Sequence, residues 1–290
     1  MPLIIDRRSF LKQVGCAAAA LSFVSNVRGD NNSISVALLS DTHIAADPND
    51  RFRGFSPHEN LKQTTKQVSD GHFEMLLVNG DLARQTGQPG DYAQFTGYVN
   101  ALADQMPLVV TMGNHDDRKN ARSALVKRSG EVEPVEQKFV TTIDAGPLKF
   151  VLLDSLLATN VVPGQLGNGQ RTWLADYIDT QGSKPLIVFV HHNPDPLSDG
   201  ALVDAQRLLD LLNARRSVKA LFFGHTHVYS LEKQNGLHLV NLPAVGYNFA
   251  DGNPVGWVSA TFTAQGAELK LNAIAGEMRD NGKISQLTWR

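Results

Sequence analysis

Ile34-Ser35-Val36-Ala37-Leu38-Leu39-Ser40-Asp41-Thr42-His43 is an apolar run that ends in a carboxylate and an imidazole. A run this short, built from aliphatic residues, reads as a buried strand. The same punctuation recurs four more times. Residues 75–78 precede Gly80-Asp81, and 108–112 run into Gly113-Asn114-His115-Asp116. Residues 186–190 precede His191-His192, and 220–223 precede Gly224-His225-Thr226-His227. Strand ends that all present Asp, Asn or His belong on one rim of a sheet, where open α/β sheets place their sites. Six of the nine histidines lie in these clusters, a concentration that surface histidines would not show. Such a rim has few uses other than holding metal.

The spacing supports that chemistry. Asp41 and His43 are two apart, so at an extended strand end both face one way and can reach one ion. His225 and His227 repeat the pattern. Asp81 follows a glycine, which allows a sharp turn that brings the carboxylate to the rim. It is the central candidate for bridging two cations. Asn114 offers a neutral carbonyl oxygen, a hard ligand, which leaves His115 free to face a substrate.

The remaining sequence alternates helices and strands. Ser56-Pro57-His58-Glu59 reads as a helix start, with the helix running to residue 70 and Gly71 stopping it. Further helices are expected over 91–105, 171–181 and 203–216 from their apolar periodicity. Residues 237–245, 256–263 and 267–273 read as strands joined by Gly-containing turns. Two sheets packed face to face with helices outside would use all of these elements. The expected fold is therefore α/β, a four-layer αββα sandwich of two mixed sheets with the metal site at strand C-terminal ends. The polar loop 44–55 and the Gly- and Pro-containing segment 161–169 are long enough to line the site.

The N-terminus carries a different signal. Arg7-Arg8-Ser9-Phe10-Leu11-Lys12 precedes a short alanine-rich apolar stretch, the order of an export signal. The paired arginines resemble the twin-arginine signal of bacteria, although Asp6 stands where that signal usually has Ser or Thr. A division follows: residues 1–30 as signal, 31–290 as one catalytic domain. The twin-arginine export machinery is then a partner, and the location is periplasmic or secreted. The single cysteine, Cys16, lies in the signal, so the mature chain has no disulfide and no thiolate ligand. A formal net charge of only -2 argues against a partner such as a nucleic acid duplex.

The ordered set Asp-x-His, Gly-Asp, Gly-Asn-His-Asp, His and Gly-His-x-His resembles the calcineurin-like metallophosphoesterases over residues 34–246. Gly113-Asn114-His115-Asp116-Asp117-Arg118 and the His191-His192 pair look most like the branch of bacterial cyclic-nucleotide and glycerophosphodiester phosphodiesterases. That branch usually has proline directly after the His pair, whereas Asn193 here precedes Pro194. The resemblance implies two divalent or trivalent ions, with iron, manganese, zinc or cobalt all compatible with the donors. Asp41, His43, Asp81 and His227 would hold the first, and Asp81, Asn114, His191 and His225 the second. It implies His115 as the group that stabilises the phosphoryl oxygens or protonates the leaving group, Asp116 as its orienter or else a helix cap, and His192 as a support for the ligands or a residue facing the substrate. Arg118 is a candidate for phosphate contact and Tyr247 for stacking on a base or alkyl group. The implied reaction is hydrolysis of a small phosphodiester by metal-activated hydroxide. A phosphomonoesterase, or a non-catalytic scaffold of the same fold, is the alternative.

Overall fold

The computed structural model describes residues 32–290 apart from Glu133 and Asp199; the expected signal over residues 1–30, with Cys16, lies outside the described residues. In chain order the elements are β1 (Ser33–Leu39), α1 (Pro57–Asp70), β2 (Met75–Asn79), α2 (Pro89–Ala103), β3 (Leu108–Thr111), α3 (Arg118–Ala124), β4 (Glu131–Val132), β5 (Thr141–Ala145) and β6 (Leu148–Leu152). They continue with α4 (Asn168–Thr180), β7 (Leu186–Phe189), α5 (Ala205–Asn213), β8 (Val218–Phe223), β9 (Ser230–Gln234), β10 (Leu237–Asn241), β11 (Pro254–Thr263), β12 (Gly266–Gly276) and β13 (Ile284–Thr288).

The strands form two sheets, ordered β13-β12-β11-β1-β2-β3 and β4-β5-β6-β7-β8-β10-β9. Strand β1 shows how the layers arise. Its side chains alternate faces. Ile34, Val36 and Leu38 pack between the sheets against Phe150, Phe189, Phe222 and Phe262. Ala37 and Leu39 face outward, with Leu61 and Val68 of α1 and Tyr92 and Phe95 of α2. Helices α4 and α5 cover the second sheet in the same way through Leu174, Ile178, Leu208 and Leu212. Both faces of the central strands are covered, which is why their runs are almost wholly apolar. The result is the four-layer αββα sandwich.

The helices expected over 91–105, 171–181 and 203–216 lie at Pro89–Ala103, Asn168–Thr180 and Ala205–Asn213. Helix α2 starts at Pro89, two residues early, because the Asp91 carboxylate accepts the Gln88 backbone N–H at 3.1 Å and closes a capping box. Ser56 precedes α1 in extended conformation without capping it through its side chain. The hairpin β5–β6 and the strands β9 and β13 carry no strong apolar alternation and went unforeseen; β9 is largely exposed and β13 lies at a sheet edge.

Strands β1, β2 and β3 are mutually parallel, as are β6, β7, β8 and β10. Their C-terminal ends therefore gather at one edge of the sandwich, and both sheets contribute to it. Backbone bonds knit the loops together there: Asp41 N–H donates to the Gly80 carbonyl, His43 N–H to Asp81, Gly224 N–H to His191 and Gly246 N–H to Asp41.

Candidate metal centre

The site residues sit on these loops in an uncommon backbone state. Asp41, His43, Asp81, His225 and His227 all have φ between 49° and 68°. Left-handed backbone is costly for a residue with a Cβ, and it clusters where function needs it. Here it turns five side chains toward one point. The glycines serve close approach. Gly80 has φ 82°, and a Cβ on it would strike the His191 ring; a Cβ on Gly113 would strike the Asp81 carboxylate.

Three groups of side chains have their ligand atoms close together: Asp41, His43 and His227; His43, Asp81 and His115; Asp81, His191 and His225. The Asp41 carboxylate lies 3.3 Å from His227 Nε2 and 3.8 Å from His191 Nε2. The Asp81 carboxylate lies 3.3 Å from His191 Nε2 and 3.7 Å from His43 Nε2, between the two groups. Asn114 is buried, and its Oδ1 has no hydrogen-bond partner; neither have Asp41 Oδ1 and His191 Nε2. Buried polar atoms are nearly always satisfied, so three orphans in one cluster fit a cation as their shared partner.

The imidazole tautomers give a second test. His227 Nδ1 lies 2.6 Å from the Tyr247 carbonyl, His43 Nδ1 lies 3.4 Å from Arg84 O, and His191 Nδ1 lies 2.8 Å from Asn79 O. A carbonyl can only accept, so each Nδ1 carries a proton and each ring turns Nε2 toward the cluster. His43 Nε2 and His227 Nε2 are 3.1 Å apart. Two lone pairs at that distance repel unless a cation lies between them. Backbone carbonyls that fix Nδ1–H are the usual orienting partners of metal-bound histidine. The donor set therefore fits metal ions.

The electrostatics agree. Burial works to raise Asp41, but His191 and His227 outweigh it and hold the carboxyl below the usual range. Burial also opposes charge on Asp81, yet His191 beside it drives it well below the usual range. Burial would lower His191, but Asp81 and Asp41 push it up to about 10. Burial holds His43 down at about 3 and His225 at about 4, the latter helped by the charge on His191. Both are neutral and ready to ligate.

The other expected residues have definite places. His115 lines the cleft; its Nδ1–H donates to the Gln85 carbonyl at 2.9 Å and its backbone N–H donates to Asp81 Oδ1 at 2.8 Å. Its orienter is thus the Gln85 carbonyl, which no sequence pattern marks. Asp116 points away from the His115 ring. It accepts from the backbone N–H of Gly113, Ala83 and Leu82 at 2.9, 3.1 and 3.2 Å and from the Tyr92 hydroxyl at 3.1 Å. It clips the Asp81 loop to the Asn114 loop. His192 is fully buried with both ring nitrogens engaged, Nδ1 by the Ser155 hydroxyl at 2.7 Å and Nε2 by the Val162 carbonyl at 3.0 Å. It anchors the 156–164 loop instead of facing the cleft. Arg118 forms a two-pronged ion pair with buried Asp154, at 2.6 and 2.8 Å, and also reaches the Leu156 carbonyl. Tyr247 is only 3% exposed, its ring packed 4.7 Å from His43 and 4.8 Å from His227. The ring that does reach the cleft is Phe249, stacked on His227 at 4.3 Å, with Val162 and Ser198 also in the lining. Val162 comes from the 161–169 segment expected to line the site, whereas Phe249 and Ser198 carry no motif and lie outside the expected lining loops. The cleft has a volume of about 370 Å³.

Fold and site together define a metal-dependent phosphoester hydrolase. Residues 34–229 match the sequence pattern described as calcineurin-like phosphoesterase. The chain is 30% identical over 237 residues to the 3',5'-cyclic adenosine monophosphate phosphodiesterase CpdA of Pseudomonas aeruginosa, covering 79% of this chain and 82% of that protein. It is 28% identical over 217 residues to the glycerophosphodiester phosphodiesterase GpdQ of Enterobacter lignolyticus, covering 72% and 76%. In fold it is similar to a dimetal phosphatase from Danio rerio, with a TM-score of 0.70 at 14% identity, covering 89% of this chain and 99% of that one. The chain belongs to the calcineurin-like phosphoesterase family.

Proposed function

We propose that this protein hydrolyses phosphodiesters of small molecules at a two-metal centre. The observation that carries the diester reading is the composition of the cleft. Its described lining holds His43, Asn114, His115, His225 and His227 with Asp81, but no Lys or Arg. A phosphodiester brings one negative charge and a monoester close to two, so a lining without fixed cations suits the diester. Relatives named as cyclic-nucleotide and glycerophosphodiester phosphodiesterases support the same reading.

Asp41, His43, Asp81 and His227 would hold one ion, and Asp81, Asn114, His191 and His225 the other. Ions held there supply positive charge for the phosphoryl oxygens and a water acidified toward neutral pH. The protein's own part is to orient and to move a proton. Gln85 holds Nδ1–H of His115, so Nε2 faces the cleft. As imidazolium, His115 hands the Nε2 proton to the departing alkoxide and is left neutral. Asp81 fixes the His115 backbone through its N–H, which ties the proton donor to the ligand loop. Phe249 and Val162 wall the cleft and limit the water in it.

Turnover of bis-p-nitrophenyl phosphate against p-nitrophenyl phosphate by metal-loaded protein tests this. Diester turnover in excess, lost in Asn114→Ala, is expected. A monoester preference would make the protein a phosphomonoesterase, and no turnover with two metals bound would make it a scaffold.

Export by the twin-arginine machinery is part of the same proposal and rests on Arg7-Arg8 and the apolar stretch that follows. Among the described residues no helix is long and apolar enough to cross a membrane. Changing Arg7 and Arg8 to lysine together should abolish the periplasmic fraction; unchanged export would overturn the assignment.

A further inference from the structure

Ten large hydrophobic side chains are exposed among the described residues, and six of them belong to the loops around the cleft. Phe52 is 36% exposed and Phe249 48% on one side; Leu157, Val161 and Val162, at 44%, 37% and 53%, lie on another; Leu197 is 93% exposed. Isolated apolar residues on a surface are ordinary. A concentration around one opening is not, and such patches mark binding sites.

These side chains are held in place. Phe52 and Phe55 exchange backbone bonds at 3.0 and 2.9 Å across a two-residue turn of Arg53 and Gly54, both with positive φ. The Arg84 guanidinium lies 4.5 Å over the Phe52 ring and pairs with Asp50. Arg53 donates to the Phe249 carbonyl at 2.7 Å, and Phe249 stacks on His227. Across the opening, the His192 ring holds the Val162 carbonyl and Asn160 N–H donates to the Asn114 carbonyl at 2.7 Å. A Cβ on Gly200, just past the turn that carries Leu197 and Ser198, would strike the Val162 side chain. Phe249 and Val162 both reach the cleft that holds the metal donors. Phe249 and Val162 thus join the apolar rim to the reacting centre.

We propose that this rim receives an apolar alcohol of the substrate, so that the preferred phosphodiester is amphiphilic: phosphate at the metal donors, alkyl, acyl or aryl group against Phe249, Val162 and Leu197. This rests on the phosphodiesterase reading. It adds a substrate class that the metal donors, which see only phosphate, cannot select. The occupant is the substrate itself because the apolar surface begins inside the cleft, next to the position the ester oxygen must take.

The test uses methyl, butyl and octyl p-nitrophenyl phosphate with metal-loaded protein, below the concentration at which the octyl ester aggregates. The leaving group is constant, so only the bystander alkyl group varies. Full burial of a methylene is worth about fourfold, and half burial at an open rim about twofold. The ratio kcat/KM should therefore rise roughly eightfold from methyl to butyl, mostly through KM. In the double variant Val162→Thr, Leu197→Ser the butyl-to-methyl ratio should fall below about threefold. A flat series in wild type, with the methyl ester turned over, would overturn the rim assignment and leave the phosphodiesterase standing. An undiminished ratio in the variant would also overturn it for these residues. A flat series with protein that sediments on phospholipid vesicles would assign the rim to a membrane surface instead. Failure to hydrolyse any of the three would sink both readings.

Discussion

Replacing Asp116 with alanine removes the acceptor of four buried donors: the backbone N–H groups of Gly113, Ala83 and Leu82 and the hydroxyl of Tyr92. An unsatisfied buried donor costs about 1–3 kcal/mol; the Tyr92 hydroxyl can turn to the Asp117 carbonyl at 3.4 Å, so the three backbone groups together cost about 6 kcal/mol in the middle of that range. Part of this returns. Burial first, and the charge on Asp81 second, already hold the Asp116 carboxyl up at about 6. Removing so strained a charge gives back roughly 3 kcal/mol. The net loss is about 3 kcal/mol, or about 6–12 °C in melting temperature for a domain of this size. Thermal melting of the metal-loaded protein, with turnover of bis-p-nitrophenyl phosphate alongside, is the assay. A role through His115 alone would lower kcat and leave the melting temperature where it was. A variant that melts within about 2 °C of wild type would therefore refute the loop-clip role.

Arg118→Ala should act on folding, since it leaves buried Asp154 without its ion pair; a loss of about 3 kcal/mol by denaturant titration with KM unchanged is expected, and a raised KM without destabilisation would return Arg118 to substrate contact. Gly80→Ala places a Cβ against the His191 ring at a positive φ; metal content after dialysis should fall at least about tenfold, the low end for disturbing a ligand's support, and full retention would show that the close approach is not needed. His191, pushed up to about 10 by Asp81 and Asp41 against the lowering effect of burial, is protonated in metal-free protein at pH 8. It must lose that proton to bind a metal. Calorimetric titration in buffers of different ionisation enthalpy should report about one proton released per chain from this residue, and none released would contradict the assignment.

Much of the site was legible because each cluster follows an apolar run. The run at 186–190 is apolar throughout and that at 34–39 is apolar but for Ser35, because helices cover the outer faces of both sheets and each strand then ends at a rim. What the sequence could not carry was the direction of individual side chains. His192 adjoins His191 in sequence but points the other way, into Ser155 and Val162. Asp116 adjoins His115 but turns back to the Gly113 and Asp81 loops. Backbone carbonyls such as Gln85 and Tyr247, which fix the imidazole tautomers, have no residue-type signature at all. Phe249 stands two residues beyond Tyr247 in the same loop, and only the packing of Tyr247 under His43 decides which ring reaches the cleft.

Titration of metal-free protein with manganese, following binding by calorimetry and bis-p-nitrophenyl phosphate turnover in the same samples, tests the two-metal centre most directly. Two ions bound per chain, with turnover appearing only as the second is taken up, is the predicted result. Full turnover at one ion per chain, with no second ion bound, would contradict it.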